Sequence, residues 1–261
     1  MNKYFLQKAS WSIVGLFITG VLFIALTASV KKGHEGKPGY LKLSFLNTAN
    51  GKPIVLKDSL YQNYFGEQYS ISKLKYYISN ITLTDGHGIN NLGGYYLVNA
   101  GAEQNSFEIE LKPGVYSSIA FLLGVDSIHN CSGAQTGALD PMNDMFWTWS
   151  SGYVMFKLEG TSTASTADLQ RIEHHIGGYK GANNVATKVS FDLNEASNLE
   201  IKENSTTEIM IEANMDKYWH GNADIKISEQ PLWMTIGGFA KKAASNFRGL
   251  FSVKSIRSIT L

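Results

Sequence analysis

The residues best suited to chemistry gather between Gly124 and Gly160. That stretch holds His129, Cys131, Asp140, Met142, Met145, Trp147, Trp149 and Met155. Imidazole, thiol and thioether are soft or borderline donors of the kind that monovalent copper accepts. A second group follows at Glu173-His174-His175-Ile176-Gly177-Gly178. If 171–176 is a strand, its two histidines point to opposite faces, and at most one of them faces a given site. Trp147 and Trp149 stand two apart, so on a strand they share a face. The glycine pair after the histidines lets backbone approach closely at the strand end. Each group also has a packing role to weigh. Tryptophans on a strand fill a core, methionines fill gaps, and Cys131 serves as a small buried hydrophobe.

Other chemistries leave no trace. There is no G-x-S-x-G elbow, P-loop, H-E-x-x-H or dinucleotide fingerprint. Gly86-His87-Gly88 reads as a hairpin turn, and Glu159 and Glu173 as solvated strand carboxylates. No acid, base and nucleophile set emerges, so the sequence reads as a binding protein and not an enzyme. Lys and Arg total 23 against 22 Asp and Glu, a net charge of +1 in 261 residues. A chain so balanced has no general basic field for nucleic acid. Its single cysteine forbids an intrachain disulfide and a Cys-rich zinc site.

The elements that must position these groups follow from hydrophobic patterning. Residues 9–30 carry no charge, and their 22 positions as a helix span about 33 Å, a bilayer core. Segment 1–30 is therefore a signal peptide or an uncleaved membrane anchor, and 31–39, with Gly33, Gly36 and Pro38, is a short linker. From Tyr40 to the end at 261, period-2 alternation dominates. Leu41, Leu43 and Phe45 alternate with polar residues, as do Phe107, Ile109 and Leu111, then Val154, Phe156 and Leu158, then Val189, Phe191 and Leu193. Such runs mark strands with one buried face. Turn signals at Asp85-Gly86, Gly93-Gly94, Pro113-Gly114 and Gly177-Gly178 separate them. Ser59–Glu67 and Asn214–Gly221 read as short helical or looped insertions, 162–167 as a loop, and Gly237–Arg248 as a late helix. The expected fold is all-β: an antiparallel β-sandwich with short helical insertions, preceded by an N-terminal hydrophobic helix.

At several of these positions the sequence resembles the MbnP-like family, the copper-binding proteins encoded beside methanobactin genes and their bacterial relatives. The resemblance covers nearly the whole chain after the N-terminal segment. Leu41-Lys-Leu-Ser-Phe45, Leu74-Lys-Tyr-Tyr-Ile-Ser-Asn80, Phe121-Leu-Leu-Gly-Val125 and Gly137-Ala-Leu-Asp-Pro141 carry it. So do Met145-Phe-Trp-Thr-Trp149, Gly152-Tyr153, Lys157-Leu-Glu159 and His175-Ile-Gly-Gly178. The run Ser132-Gly-Ala-Gln-Thr-Gly137 resembles the branch common in Bacteroidetes envelopes.

The resemblance implies a β-sandwich in the bacterial cell envelope, periplasmic or membrane-anchored through the N-terminal segment. It implies one copper held by two histidines, for capture or storage and not turnover. It also implies a site tryptophan oxidised to kynurenine by a di-haem peroxidase-like partner. His175 falls on the histidine of the family's H-[IL]-G motif, and Trp147 and Trp149 are the candidates for the oxidised residue. Copper-binding members carry an Asn-His pair after the Gly-Val strand. Here Asn130 matches the asparagine, Cys131 follows it, and His129 precedes it. The candidate metal set is thus His175 with His129 or Cys131. On an extended chain those last two share a facing. The alternative is a metal-free binding module that keeps the family fold.

Overall fold

A computed structural model describes residues 36–103, 105–133, 135–148, 150–193 and 199–259. The hydrophobic segment 1–30, linker residues 31–35 and Trp149 lie outside the described residues. In chain order the domain contains β1 (Gly39–Ala49), β2 (Lys52–Pro53), β3 (Tyr61–Gln62), β4 (Gln68–Asp85), β5 (Gly88–Asn99) and β6 (Ser106–Leu111). Next come β7 (Gly114–Tyr116), β8 (Ser118–Leu123), α1 (Ser127–Cys131), β9 (Phe146–Thr148), β10 (Gly152–Thr161) and β11 (Arg171–Gly177). The remainder is β12 (Thr187–Asp192), β13 (Leu199–Ile201), β14 (Thr206–Asn214), α2 (Asp216–Trp219), β15 (Leu232–Trp233), α3 (Gly238–Ala244), α4 (Phe247–Leu250) and β16 (Phe251–Ile259).

The fold is mostly β with a few short helices, as the alternation predicts, but its sheets are mixed. One sheet runs β16-β14-β1-β2 with β6 also on β1, and a nine-stranded sheet runs β12-β8-β4-β10-β11-β15 with β3, β5 and β9 attached. β1 pairs with β14 in parallel, Leu43 opposite Ile209, and β11 pairs with β15 in parallel. This corrects the purely antiparallel expectation. Period-2 alternation reports which face is buried and says nothing of a neighbour's direction.

Leu41, Leu43 and Phe45 of the first sheet meet Tyr76, Phe121 and Phe156 of the second in one core. Phe45 lies edge-on to both Tyr76 and Phe121, with ring centroids 6.3 and 6.2 Å apart. Each such side chain contributes about 1.5–3 kcal/mol by leaving water.

β4 is the spine of the larger sheet. One of its edges pairs with β3 and β5, while β10 and then β8 share the other. Its core face holds Tyr76, Ile78, Ile81 and Leu83, a spacing that slips by one after Ile78. Asn80 absorbs the slip at φ 50°, within a register shift against β8, which is a β-bulge. Asn and Asp are the non-glycine residues that best tolerate this left-handed backbone.

The insertions differ in detail from the reading of the sequence. Ser59–Glu67 contains β3, which folds back on β4, and Asn214–Gly221 contains α2. The late helix is two pieces, α3 and α4, whose Lys241, Lys242 and Arg248 are exposed. Asp85-Gly86-His87-Gly88 is the β4–β5 turn, where Asp85 Oδ1 accepts from the His87 and Gly88 amides at 2.7 and 3.1 Å.

Candidate functional site

The described residues of 125–154 fold over the outer face of the large sheet through α1 and two 3₁₀ turns. It encloses a second, smaller hydrophobic cluster: Tyr77, Val125, Leu139, Met145, Tyr153 and Val154, with Trp147 packed against it. Polar pins set its shape. Asp126 caps α1, accepting from the Ile128 and His129 amides at 3.0 Å each. Asn130 donates to the Val125 and Asp126 carbonyls and accepts the Tyr153 amide at 2.9 Å, tying α1 to β10. A Cβ on Gly152 would lie 2.3 Å from Asn130 Oδ1, so the glycine before Tyr153 makes room for that pin. Asp140 Oδ1 caps the 3₁₀ turn Pro141–Asn143, and the Tyr153 hydroxyl donates to the Leu139 carbonyl at 2.6 Å. The Leu-Asp-Pro and Gly-Tyr signatures are therefore architectural here.

The two adjacent histidines of β11 part company, as strand alternation requires. His174 is fully buried, and both its nitrogens are engaged, Nδ1 with the Tyr218 hydroxyl at 2.8 Å and Nε2 with the Gln230 carbonyl at 2.7 Å. Burial pushes its pKa down to about 4, so it is a neutral core group. His175 turns to the outer face, where its Nε2 lies 2.9 Å from Glu159 Oε1. Glu159 is held down to about 2, first by that hydrogen bond and then by Lys73.

Around this pair runs a charged lattice. Lys73 binds Glu159 and Asp144 at 3.1 and 2.8 Å, and the buried Lys157 binds Asp144 Oδ1 at 3.0 Å and the Asp144 carbonyl. Burial alone would raise the Asp144 carboxyl. The two lysines outweigh it and hold the group at about 2. Lys157 stands opposite His175 in the ladder, and Glu159 stands opposite Glu173, whose carboxylate is bound by Arg171 at 2.9 Å. The two glutamates read as isolated strand carboxylates are thus cross-strand neighbours.

His129 belongs to a different network. Its Nδ1 lies 2.6 Å from the Tyr95 hydroxyl and 3.1 Å from Asp126 Oδ1, while the Tyr95 hydroxyl donates to Asp126 Oδ2. Asn80, from the β4 bulge, donates to the same oxygen at 3.1 Å. Burial works to raise the Asp126 pKa, and the donors Tyr95, His129 and Asn80 outweigh it, holding the carboxyl well below the usual range. Burial, reinforced by Asp126, pushes the Tyr95 phenol up. Tyr95 and His129 line one side of a surface cleft completed by Gln135, Thr136, Ala138 and Leu139.

Cys131 is exposed, not buried as a small hydrophobe would be. It ends α1, where residues two apart diverge by roughly 200°, so it does not share the facing of His129 that an extended chain would impose. Met145 and Met155 are fully buried gap-fillers, whereas Met142 is almost wholly exposed. Trp147 lies over Gly177: a Cβ there would meet its indole at 2.8 Å and the Tyr153 carbonyl at 2.7 Å. That places the indole over the strand two residues from His175, on the face His175 shares.

The candidate set is therefore partly gathered. His175 and Trp147 share the end of β11. α1 docks just beyond, through Ser127 Oγ donating to the Tyr179 carbonyl at 2.7 Å. Tyr179 stands four positions after His175, two of them beyond the end of β11. Among the described residues, no three His, Cys, Asp or Glu side chains converge as a metal cage.

The donor chemistry nevertheless fits a soft ion. The Tyr95 hydroxyl donates to Asp126, so a neutral His129 that turns Nδ1–H into that network would present Nε2 as a donor to a metal. A neutral His175 that donates Nε2–H to the ionised Glu159 would likewise present Nδ1. Among the described residues neither nitrogen has another partner, and carboxylate orientation of the far nitrogen is how metal-binding histidines are commonly held. His220 shares the feature, with Nδ1 2.7 Å from Asp224 Oδ1, but it is stacked on Tyr64 with centroids 3.8 Å apart. Sequence reading missed Tyr95, Asp126, Asn80, Lys73 and Asp144 as partners: Asp126 and Asp144 lie in the overlying segment, Asn80 in the bulge, and Tyr95 and Lys73 on strands whose pairing joins distant stretches of sequence.

Comparison with known proteins accords with this architecture. The structure is similar to that of MbnP from Methylosinus trichosporium, with a TM-score of 0.53 at 15% identity over 74% of this chain and 80% of that one. At that identity the likeness shows the fold. No match is found among curated proteins. The MbnP family model matches residues 38–236, the whole run from β1 through β15, and the chain accordingly belongs to the MbnP family.

Proposed function

We propose that this protein captures copper as cargo, using the imidazoles of His129 and His175, in the bacterial cell envelope. The observation that carries the reading is the state of those rings. Each has one nitrogen bound to a carboxylate, Asp126 or Glu159, and the other with no partner among the described residues. Asp126 and Glu159 orient the rings and fix the tautomers. Trp147 lies over Gly177, two residues along β11 from His175. Cys131 is an exposed thiol on the same short helix as His129 and is the second candidate donor. Trp147 and Trp149 are the positions at which a di-haem peroxidase-like partner would open an indole to kynurenine. The N-terminal segment would export or anchor the domain.

Anaerobic loading of the full chain with Cu(I), followed by desalting and metal analysis, tests the reading. Stoichiometric copper is expected in wild type and in His220→Ala made alongside the peroxidase-like partner, with a large loss in His175→Ala and in His129→Ala, and little copper in protein expressed without that partner. Equal copper content in wild type and His175→Ala would overturn it. Intact-mass measurement of native protein tests the partner: the mass change of indole ring opening is expected, and its absence removes that claim. A metal-free binding module is the second reading, favoured by the lack of a three-residue cage among the described residues.

A further inference from the structure

β15 lies beside β11 at the border of the large sheet, and its path brings an unassigned sulfur toward His175. Leu232 stands opposite Glu173 and Trp233 opposite His174. The register is pinned before β15, where the Glu173 amide donates to the Pro231 carbonyl at 2.9 Å. It is pinned again after β15, where Ile236 Cγ2 lies 3.4 Å from the place a Cβ would take on Gly178. Met234 is the first residue after β15 and lies between these two pins, directly following the residue paired with His174.

Its facing follows from its neighbour. Residues paired across strands share a face, and successive residues alternate. Trp233 packs on Phe239 at 5.2 Å, and Phe239 packs on His174 at 5.1 Å, so Trp233 belongs to the core side. The same alternation, carried one residue past the end of β15, sets Met234 on the side of His175, Glu159 and Trp147. The Trp233 indole donates to the Thr235 carbonyl at 2.5 Å and holds the backbone on either side of Met234. The side chain itself is 48% exposed, so its thioether is not consumed by packing as those of Met145 and Met155 are.

We propose that Met234 is a thioether ligand beside His175 and biases the centre toward monovalent copper. A neutral thioether is a soft donor that suits Cu(I) and adds little for Zn²⁺ or Cu²⁺. This assignment rests on the copper reading above and deepens it. Met234→Leu keeps the volume and apolar character of the side chain, and it removes only the sulfur.

The test is competition between the full-length protein and a chromophoric Cu(I) chelator, in wild type, Met234→Leu and His175→Ala, with Cu²⁺ titrated in parallel. Outer-shell partners of a metal are worth about 10–100-fold in affinity, so loss of a direct ligand is expected to weaken Cu(I) by at least about tenfold, with Cu²⁺ affinity unchanged. X-ray absorption of the Cu(I) form supplies a second readout. A sulfur scatterer is expected to persist in Cys131→Ser and to vanish in Met234→Leu. Unchanged Cu(I) affinity in Met234→Leu, or sulfur that vanishes in Cys131→Ser instead, overturns the thioether while leaving a His175-dependent site intact. Copper held equally by wild type and His175→Ala overturns the copper reading, and the thioether with it.

Discussion

The two hydrophobic clusters lie on opposite faces of β4 and are held by different means. The inner one joins two sheets through side chains that alternate along long strands, such as Leu41, Leu43 and Phe45 against Tyr76, Phe121 and Phe156. The outer one roofs Tyr77 with Leu139, Met145, Tyr153 and Val154. Leu139 and Met145 come from the turns and Tyr153 and Val154 from the start of β10, and they stay in place through discrete pins: Asn130 to Tyr153, Tyr153 to Leu139, and Lys157 to Asp144. A core spread over many contacts loses stability gradually, whereas a roof on few pins opens locally when one is withdrawn. The candidate site sits at the roof.

The largest effect is expected inside. Phe156→Ala empties the centre of the inner cluster and should cost about 3–5 kcal/mol, seen as a lowered denaturant midpoint for the whole domain. Loss confined to local exchange around β10 would break the comparison.

Acid should come next. His174 has a folded pKa of about 4, below its ordinary 6.5, so the unfolded chain takes up the proton first. Stability is complete above pH 6.5 and falls toward pH 4, by about 3 kcal/mol. Urea midpoints that stay flat from pH 6.5 to 5 would contradict a neutral buried imidazole.

The outer cluster should answer more quietly. Gly177→Ala sets a methyl against the Trp147 indole and the Tyr153 carbonyl and should cost about 1–3 kcal/mol. A shifted tryptophan emission is the accompanying sign, and an unshifted spectrum would place the indole elsewhere. The smallest change is expected from Asp144→Ala. Its carboxylate is more than half exposed, so global stability should move by no more than about 1 kcal/mol, while amides of residues 141–148 lose hydrogen-exchange protection. Retained protection would mean that the roof does not depend on its lysine pins.

How much was legible in the sequence follows the same division. Strand faces, the opposed His174 and His175, and the Asp85–Gly88 turn could be read from period-2 spacing and turn residues, because those signals are local. The parallel pairing of β1 with β14 could not, since its partners are more than 160 residues apart and alternation has no direction. Cys131 was misplaced for a related reason. Asp126 opens a five-residue helix too short to show a period, and an extended reading of 129–131 put two side chains on one face that a helix separates. Asn130 matched the family pattern, but its work as a pin between α1 and β10 depends on Gly152 across the fold. Likewise, Met234 carries no local signal and gains meaning only from the register of β15.

The bulge at Asn80 ties the two regions into one inheritance. That residue is the extra unit which lets Ile78 and Ile81 face the same core, and its amide also reaches the Asp126 that orients His129. A lineage that deleted it to smooth the strand would turn Ile81 and Leu83 outward and lose the domain, not merely the site. The support beneath His129 is thus sheltered from gradual erosion: selection for a folded domain preserves it, even in a descendant that has lost His129 itself.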